Sequence, residues 1–440
     1  MSLIPTLDRR PPSGAGARTE VATAVREPAA GVAVAPRARG LARAGAADQL
    51  RFGLRHRVPA LLRRAPLPRR WAVRDDTVRL PGALLARFRA TYGDAVWVRD
   101  QRGPALLVLG TNGLLRVLHG PAAPGHPHAA IVRRVIGEEV GRLLTARAVL
   151  TRAVFQNSVD RMARRIVLGD AAADDAEVTG LYLELRSEGN WLGTRPWRTD
   201  RARAAHDRLA ERLRSYLDAA APGSLVAALA ADMTSGIHGG PMAAGNSGDS
   251  VAAGVPGAVS GPAGTDGVPV GQIAHWFLAF DILADTGLTT LVVLAGEPGL
   301  GDRARRDHDV ARACVLETLR LWPPAGDLFR ETTRDLDWDG EFLPAGTRLL
   351  VPAAFHERAR SVADPDAFRP DIRDPWPGAG FFPLGPDGAG EDLGLLMATE
   401  LVAQSLDRGR YRLLSAGLPV RGPLPQVLDP GAFRLSVGRR

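Results

Sequence analysis

Apolar residues recur at helical spacing along most of the chain and alternate in only a few short stretches, a pattern that predicts a mainly helical fold. Leu80, Leu84, Leu85, Phe88 and Tyr92 line one face of a helix over 80–92. Ala95–Arg99 and Ala105–Leu109, parted by Gln101-Arg102-Gly103, read as a β-hairpin. Further helices are expected over Ala129–Leu168 with a break near Thr151, over Ala176–Arg186, and over Arg201–Ala219, which stops before Pro222-Gly223. Gln272–Ala295 and Val310–Leu321 follow, the second ended by Pro323-Pro324, and a last helix runs from about Glu391 to Leu406. Short strands fit Phe329–Thr332, Arg348–Val351 and Phe433–Val437. Many helices with a small, late β share give an α+β class, mainly α with minor β.

Two stretches lack either period. Residues 1–70, rich in Arg, Ala, Pro and Gly, are expected to be a disordered tail outside the fold, because they bury too little apolar surface to offset ordering. Residues 233–271, dominated by Gly, Ala, Ser and Pro, read as a flexible loop inside a single domain spanning 75–440. The longest apolar stretch, Ile273 to Ala295, is interrupted by His275, Asp281 and Asp285, so a buried helix explains it better than a membrane span.

Composition changes this picture at two points. Apolar residues make up 45% of the 440 while aromatics supply 5%, so the core must be built from Leu, Val and Ala. The formal charge of +8 comes from Arg alone, since the chain has no Lys; much of the excess lies in 1–70, where a solvated tail is expected and no nucleic-acid role is assigned. Cys314 is the single cysteine, which excludes an intrachain disulfide framework and a Cys-rich zinc site and agrees with a cytoplasmic setting. Arg9-Arg10 is followed by Pro and Gly rather than an apolar run, so no export signal is expected.

Glu317 and Arg320 stand three apart, on one helix face where they can pair. Their surroundings give the pair meaning. The run Glu317-Thr-Leu-Arg-Leu-Trp-Pro-Pro, then Phe329-Arg-Glu-Thr-Thr, Leu343-Pro-Ala-Gly-Thr and Asp364-Pro-Asp-Ala-Phe-Arg-Pro370 resembles, in order and spacing, the C-terminal half of bacterial cytochromes P450. His275-Trp-Phe-Leu-Ala-Phe-Asp281 and Arg164-Arg-Ile-Val-Leu-Gly-Asp170 extend the similarity back to about residue 75. The resemblance implies a P450-like fold, a buried structural triad of Glu317, Arg320 and Arg369, and a haem monooxygenase ancestry. If haem is present, it implies Arg330, Gly385 and Gly390 as cofactor-binding positions.

The pattern then breaks. A P450 holds its iron through one Cys thiolate, which favours O–O cleavage. In Phe381-Phe-Pro-Leu-Gly-Pro-Asp-Gly-Ala-Gly-Glu-Asp-Leu-Gly394 the ligand position falls on Gly388 when a gap shortens the loop, or on Glu391 without a gap. Neither supplies a thiolate, and Cys314, one turn before Glu317, lies on a helix that in this family packs away from the iron. In the central helix, Asp285-Thr286 match the family's acid and alcohol but leave Ile282 and Leu283 where small residues belong. A register set from Ala279-Phe280-Asp281 instead puts Gly287 at the alcohol position. Between Leu118 and Ala129, Gly120-Pro-Ala-Ala-Pro-Gly-His-Pro-His128 replaces a longer segment, so the region up to and including the haem-contacting helix is shortened. His126 and His128 read as loop residues rather than a metal pair. The glycines of Gly388-x-Gly390-x-x-x-Gly394 lack the spacing of a phosphate cradle.

Two classes of function follow. One is a P450-fold protein that has lost haem-thiolate chemistry, expects no cofactor, and serves natural-product metabolism by binding a small hydrophobic ligand or a partner enzyme, as haem-free P450 homologues do for glycosyltransferases. The other is an enzyme, a haem monooxygenase with an unconventional ligand or a redox-neutral catalyst using Asp285, Thr286 or Glu391. A decayed gene product is a third reading of the same losses.

Overall fold

The computed structural model describes residues 41–54, 82–100, 103–110, 128–188, 196–235, 270–323, 328–332, 335–338, 340–358, 364–370, 389–415, 418, 424–425 and 428–439. Residues 40–440 form one compact unit, and the preceding unit, 1–39, lies wholly outside the described residues. So do most of the expected loop over 233–271 and the Gly120–Pro127 segment.

Part of the expected tail is folded. Helix α1 (Ala46–Phe52) buries Phe52 completely against Phe88 of α2 (Gly82–Tyr92), with ring centroids 6.3 Å apart. Just before α1, Ala44 N donates to Trp97 O (3.0 Å) and Trp97 N to Ala42 O (2.9 Å), adding backbone to the edge of β1 (Ala95–Asp100). One aromatic side chain and a strand edge order a segment whose composition alone reads as unstructured.

The expected hairpin forms between β1 and β2 (Gly103–Val108), with Val96 opposite Leu107 and Val98 opposite Ala105. Helix α3 (Ala129–Ala146), strand β3 (Val149–Thr151) and helix α4 (Arg152–Leu168) follow. The break falls at Thr151 because its hydroxyl caps α4, accepting from Val154 N at 3.3 Å. Helices α5 (Ala176–Glu188) and α6 (Pro196–Ala219) come next, α6 starting five residues before the expected Arg201. Helix α7 (Leu225–Ser235) was not expected, although Ser224 Oγ caps it, accepting from Ala227 N at 3.2 Å.

The long α8 (Val270–Gly296) is the axis of the molecule, packed against α4, α10 (His308–Leu321) and α12 (Ala389–Arg408). By length and hydropathy α8 alone among the described residues is sufficient to cross a membrane, yet 83% of its most apolar window is buried in the protein. Between α8 and α10 lies α9 (Pro298–Arg306), whose proline in the first turn and arginines in the last are ordinary helix signals.

The β share of the described residues forms three sheets. Strands β1, β2, β7 (Arg348–Val351) and β4 (Leu328–Glu331) make a four-stranded sheet in which β2 runs parallel to β7, Leu106 beside Leu349. Strands β5 (Leu336–Trp338) and β6 (Glu341–Leu343) make a hairpin. Strand β3 joins β9 (Arg434–Arg439) and β8 (Gly409–Leu413) in a third sheet.

The short α11 (Ala353–Arg358) is pinned to the first sheet by His356, whose Nε2 is 2.9 Å from Val108 O. Burial pushes this imidazole below its ordinary value of 6.5. The unfolded chain therefore takes up a proton that the folded one refuses, and stability is expected to fall as pH drops below 6.5. Urea unfolding at a series of pH values checks this: the slope contributed by His356 disappears in His356→Gln.

Candidate functional site

Glu317 and Arg320 are both buried on α10 and form a two-point pair, Arg320 Nε to Glu317 Oε2 and Arg320 Nη2 to Glu317 Oε1, each 2.7 Å. The guanidinium also donates to Pro365 O (2.8 Å), Ala367 O (2.9 Å) and Glu357 O (3.3 Å). One side chain thus holds the end of α11 and the 364–370 segment onto α10. A planar guanidinium with five donors suits such convergent carbonyls, as an ammonium would not.

The third member of the expected triad behaves differently. Arg369 joins through its backbone, its N donating to Glu317 Oε1 at 2.6 Å, while its guanidinium turns out to Asp364 at 2.8 Å with both side chains at least half exposed. A second inward arginine is Arg358, missed in the sequence. It donates to Leu321 O (3.0 Å) and Pro425 O (3.1 Å) and pairs with Asp366. Its place at the end of a six-residue helix leaves no periodic signal for it.

The stretch that the resemblance aligns with the iron-ligand loop, Phe381–Gly394, follows this clasp in sequence. Gly385 and Gly388 lie outside the described residues, as does the side chain of Glu391. Helix α12 begins at Ala389, which puts Gly390 and Glu391 in its first turn and Gly388 immediately before it. Arg330 sits on β4 opposite Leu349, and its side chain lies outside the described residues.

Cys314, the one thiol, is fully buried in the core on α10. It sits where Thr318 Oγ1 donates to its carbonyl at 2.9 Å. The donor set therefore does not fit a thiolate-ligated haem: the loop contributes no sulfur, and the chain's thiol is enclosed in the packing of another helix.

The acid and alcohol of α8 are not brought together. Successive helical residues point about 100° apart, and Asp285 faces outward, where Arg152 grips it at 2.7 and 3.0 Å. Thr286 is buried, and its carbonyl lies 2.9 Å from Thr290 Oγ1, itself 2.9 Å from Thr318 Oγ1 on α10. Gly287 has a packing role: a Cβ there would come within 2.8 Å of Leu401 Cδ2 and 3.4 Å of Phe155 Cε1. The glycine makes room for a neighbouring helix, not for an alcohol.

The inward acid of α8 is Asp281. It accepts from Tyr182 Oη (3.1 Å) and Gln156 Nε2 (3.1 Å) and pairs with Arg186, and Gln156 also reaches Asp160 at 2.8 Å. Burial pushes both carboxyls above the usual range, outweighing Arg186 at Asp281 and the Gln156 amide at Asp160. Asp281, which the sequence offered only as a register mark, is thus the enclosed carboxylate of α8, while Asp285 is paired with Arg152 on the outside. Among the described residues no cluster of three or more metal-ligating side chains occurs; His126 lies outside them, and His128 is a half-buried residue bonded to the Gly223 backbone.

The comparisons agree with this architecture. Residues 301–371 match the family model for cytochrome P450. Cytochrome P450 714D1 of Oryza sativa subsp. japonica is 31% identical over 198 residues, 37% of this chain and 32% of the relative. A cyclooctat-9-en-7-ol 5-monooxygenase of Streptomyces melanosporofaciens is 29% identical over 142 residues, 28% of this chain and 30% of the relative. The chain matches between 12% and 39% of the length of its curated relatives. The crystal structure of CYP175A1 from Thermus thermophilus superposes with a TM-score of 0.55 at 18% identity, covering 81% of this chain and 94% of that one. The chain thus has the cytochrome P450 fold, and its residues 301–371 carry the sequence pattern of that family.

Proposed function

We propose that this chain is a P450-fold protein without haem-thiolate chemistry, acting in the cytoplasm as a binding or auxiliary subunit of bacterial natural-product metabolism. A glycosyltransferase is one candidate partner, and a small hydrophobic compound is the alternative ligand. The observation that carries the reading is the contrast between the clasp and the loop sequence that follows it. The Glu317–Arg320 clasp is kept with full geometry, while the sequence aligned with the ligand loop contains no cysteine.

An absorption spectrum of the purified protein, reduced with dithionite and exposed to carbon monoxide, is the test. No Soret band of the thiolate type is expected. A stoichiometric thiolate-type band would overturn the reading, and copurification with a glycosyltransferase whose turnover rises on addition of the chain would support the auxiliary role.

Asp281 favours one second reading, a redox-neutral acid–base catalyst. A buried carboxyl whose pKa is raised by burial, hydrogen-bonded to a phenol, is placed to hold and pass a proton. In that case Asp281→Asn abolishes turnover of the substrate while leaving its binding intact.

A further inference from the structure

The sheet β3–β9–β8 has one face in the core and one outside. Leu150 pairs with Leu435 on the inner face, both fully buried. On the outer face Thr151 stands opposite Arg434, and Val149 and Arg412 flank Ser436 from its two sides. Arg410 stands opposite Gly438. Strand alternation with a period of two thus brings Arg410, Arg412 and Arg434 to the same exposed surface, and no Asp or Glu occupies a position on it.

Several exposed arginines elsewhere are matched by a carboxylate, though not all: Arg147, Arg201 and Arg312 are exposed and form no ion pair with a described residue. Arg152 grips Asp285, Arg208 pairs with Glu184, and Arg212 with Asp175. Arg410, Arg412 and Arg434 form no ion pair with another described residue. Three like charges held side by side on a rigid sheet repel one another, and an external anion relieves that repulsion.

Beside Arg410 opens a crevice of about 100 Å3 between the end of α8, α9 and β8, with Leu291, Leu294 and Leu406 on its floor and the Arg305–Asp302 ion pair on its wall. Ligand pockets run to about 300–1,000 Å3, so this one suits a single aliphatic side chain. Val149 and Leu414, 39% and 47% exposed, add apolar surface to the sheet face itself.

We propose that this face docks an acidic segment of a partner protein, its carboxylates on the three arginines and one aliphatic side chain in the crevice. Charge complementarity selects this occupant, and the leucine floor of the crevice takes its one aliphatic side chain. Lipid surfaces are recognised by clusters of about 4–8 basic residues and duplex DNA through about 6–10 phosphate contacts. Three arginines fall short of both, and neither polyanion uses the crevice. The site stands on its own geometry, independent of haem.

The test is fluorescence anisotropy of a labelled peptide of about ten residues, alternating Glu and Ser around one central Leu, titrated with the full chain at low salt. The wild type binds, with affinity falling as salt rises. The variant R410Q/R412Q/R434Q binds about tenfold or more weakly, the corresponding triple Lys variant keeps most of the affinity, and replacing the peptide Leu by Gly weakens binding. Circular dichroism of each variant matches the wild type, because all three side chains are on the surface. No peptide binding by the wild type, or equal binding by the Gln variant, overturns the proposal. It is equally overturned if vesicles with about 30% phosphatidylserine or single-stranded DNA bind through these arginines more tightly than the peptide.

Discussion

Arg320→Ala is expected to lower folding stability by about 3–5 kcal/mol, the usual consequence of removing one partner of a buried ion pair. Glu317 would be left buried with only the Arg369 amide donating to it, and the carbonyls of Pro365, Ala367 and Glu357 would lose their shared donor. Arg320→Lys should recover only part of the loss, because an ammonium cannot reach both carboxylate oxygens and three carbonyls from one position. Arg369→Ala should cost under about 1 kcal/mol, since its side-chain pair is exposed. Urea unfolding of the three variants checks the order. Equal losses for Arg320→Ala and Arg369→Ala would mean that a triad of side chains, rather than a pair plus a backbone amide, holds the site.

Leu401→Ala is the second large effect, at about 2–5 kcal/mol. Leu401 is fully buried on α12, and its methyl group fills the notch that Gly287 leaves on α8. Gly287→Ala in the wild type places a methyl group 2.8 Å from Leu401 Cδ2 and should cost about 1–3 kcal/mol of overpacking. A gain of about 1 kcal/mol in helix propensity offsets part of it. In the Leu401→Ala background the same change loses its 2.8 Å clash and meets only Phe155 Cε1 at 3.4 Å, so it should cost much less or stabilise. A double-mutant cycle by thermal unfolding reads this coupling, and additive effects would show that the two helices are not keyed together at this point.

The comparison of pattern with structure divides along physical lines. Helices with a strong apolar stripe, such as α2, α8 and α10, were legible within a few residues, because a 3.6-residue period is a local property. The first hairpin was legible for the same reason, with alternation on both sides of a turn. Helix α9 was missed although its proline and arginines signal it, and α1 was missed because Arg-, Ala- and Gly-rich surroundings mask the one aromatic that orders it. Strand β8 follows α12 without a break, so nothing in its sequence announces the change of period.

The chain by itself determined what depends on residue identity and local spacing: a mainly helical P450-like order, Glu317 and Arg320 on one turn, and a ligand loop with no sulfur. Tertiary structure alone decided which arginine reaches inward, Arg358 by side chain and Arg369 by backbone amide. It also decided that Asp281 rather than Asp285 is enclosed, and that β3 and β9 lie side by side to carry three arginines on one surface. These outcomes depend on which distant segment packs against each side chain, and spacing along the chain carries no direct record of that.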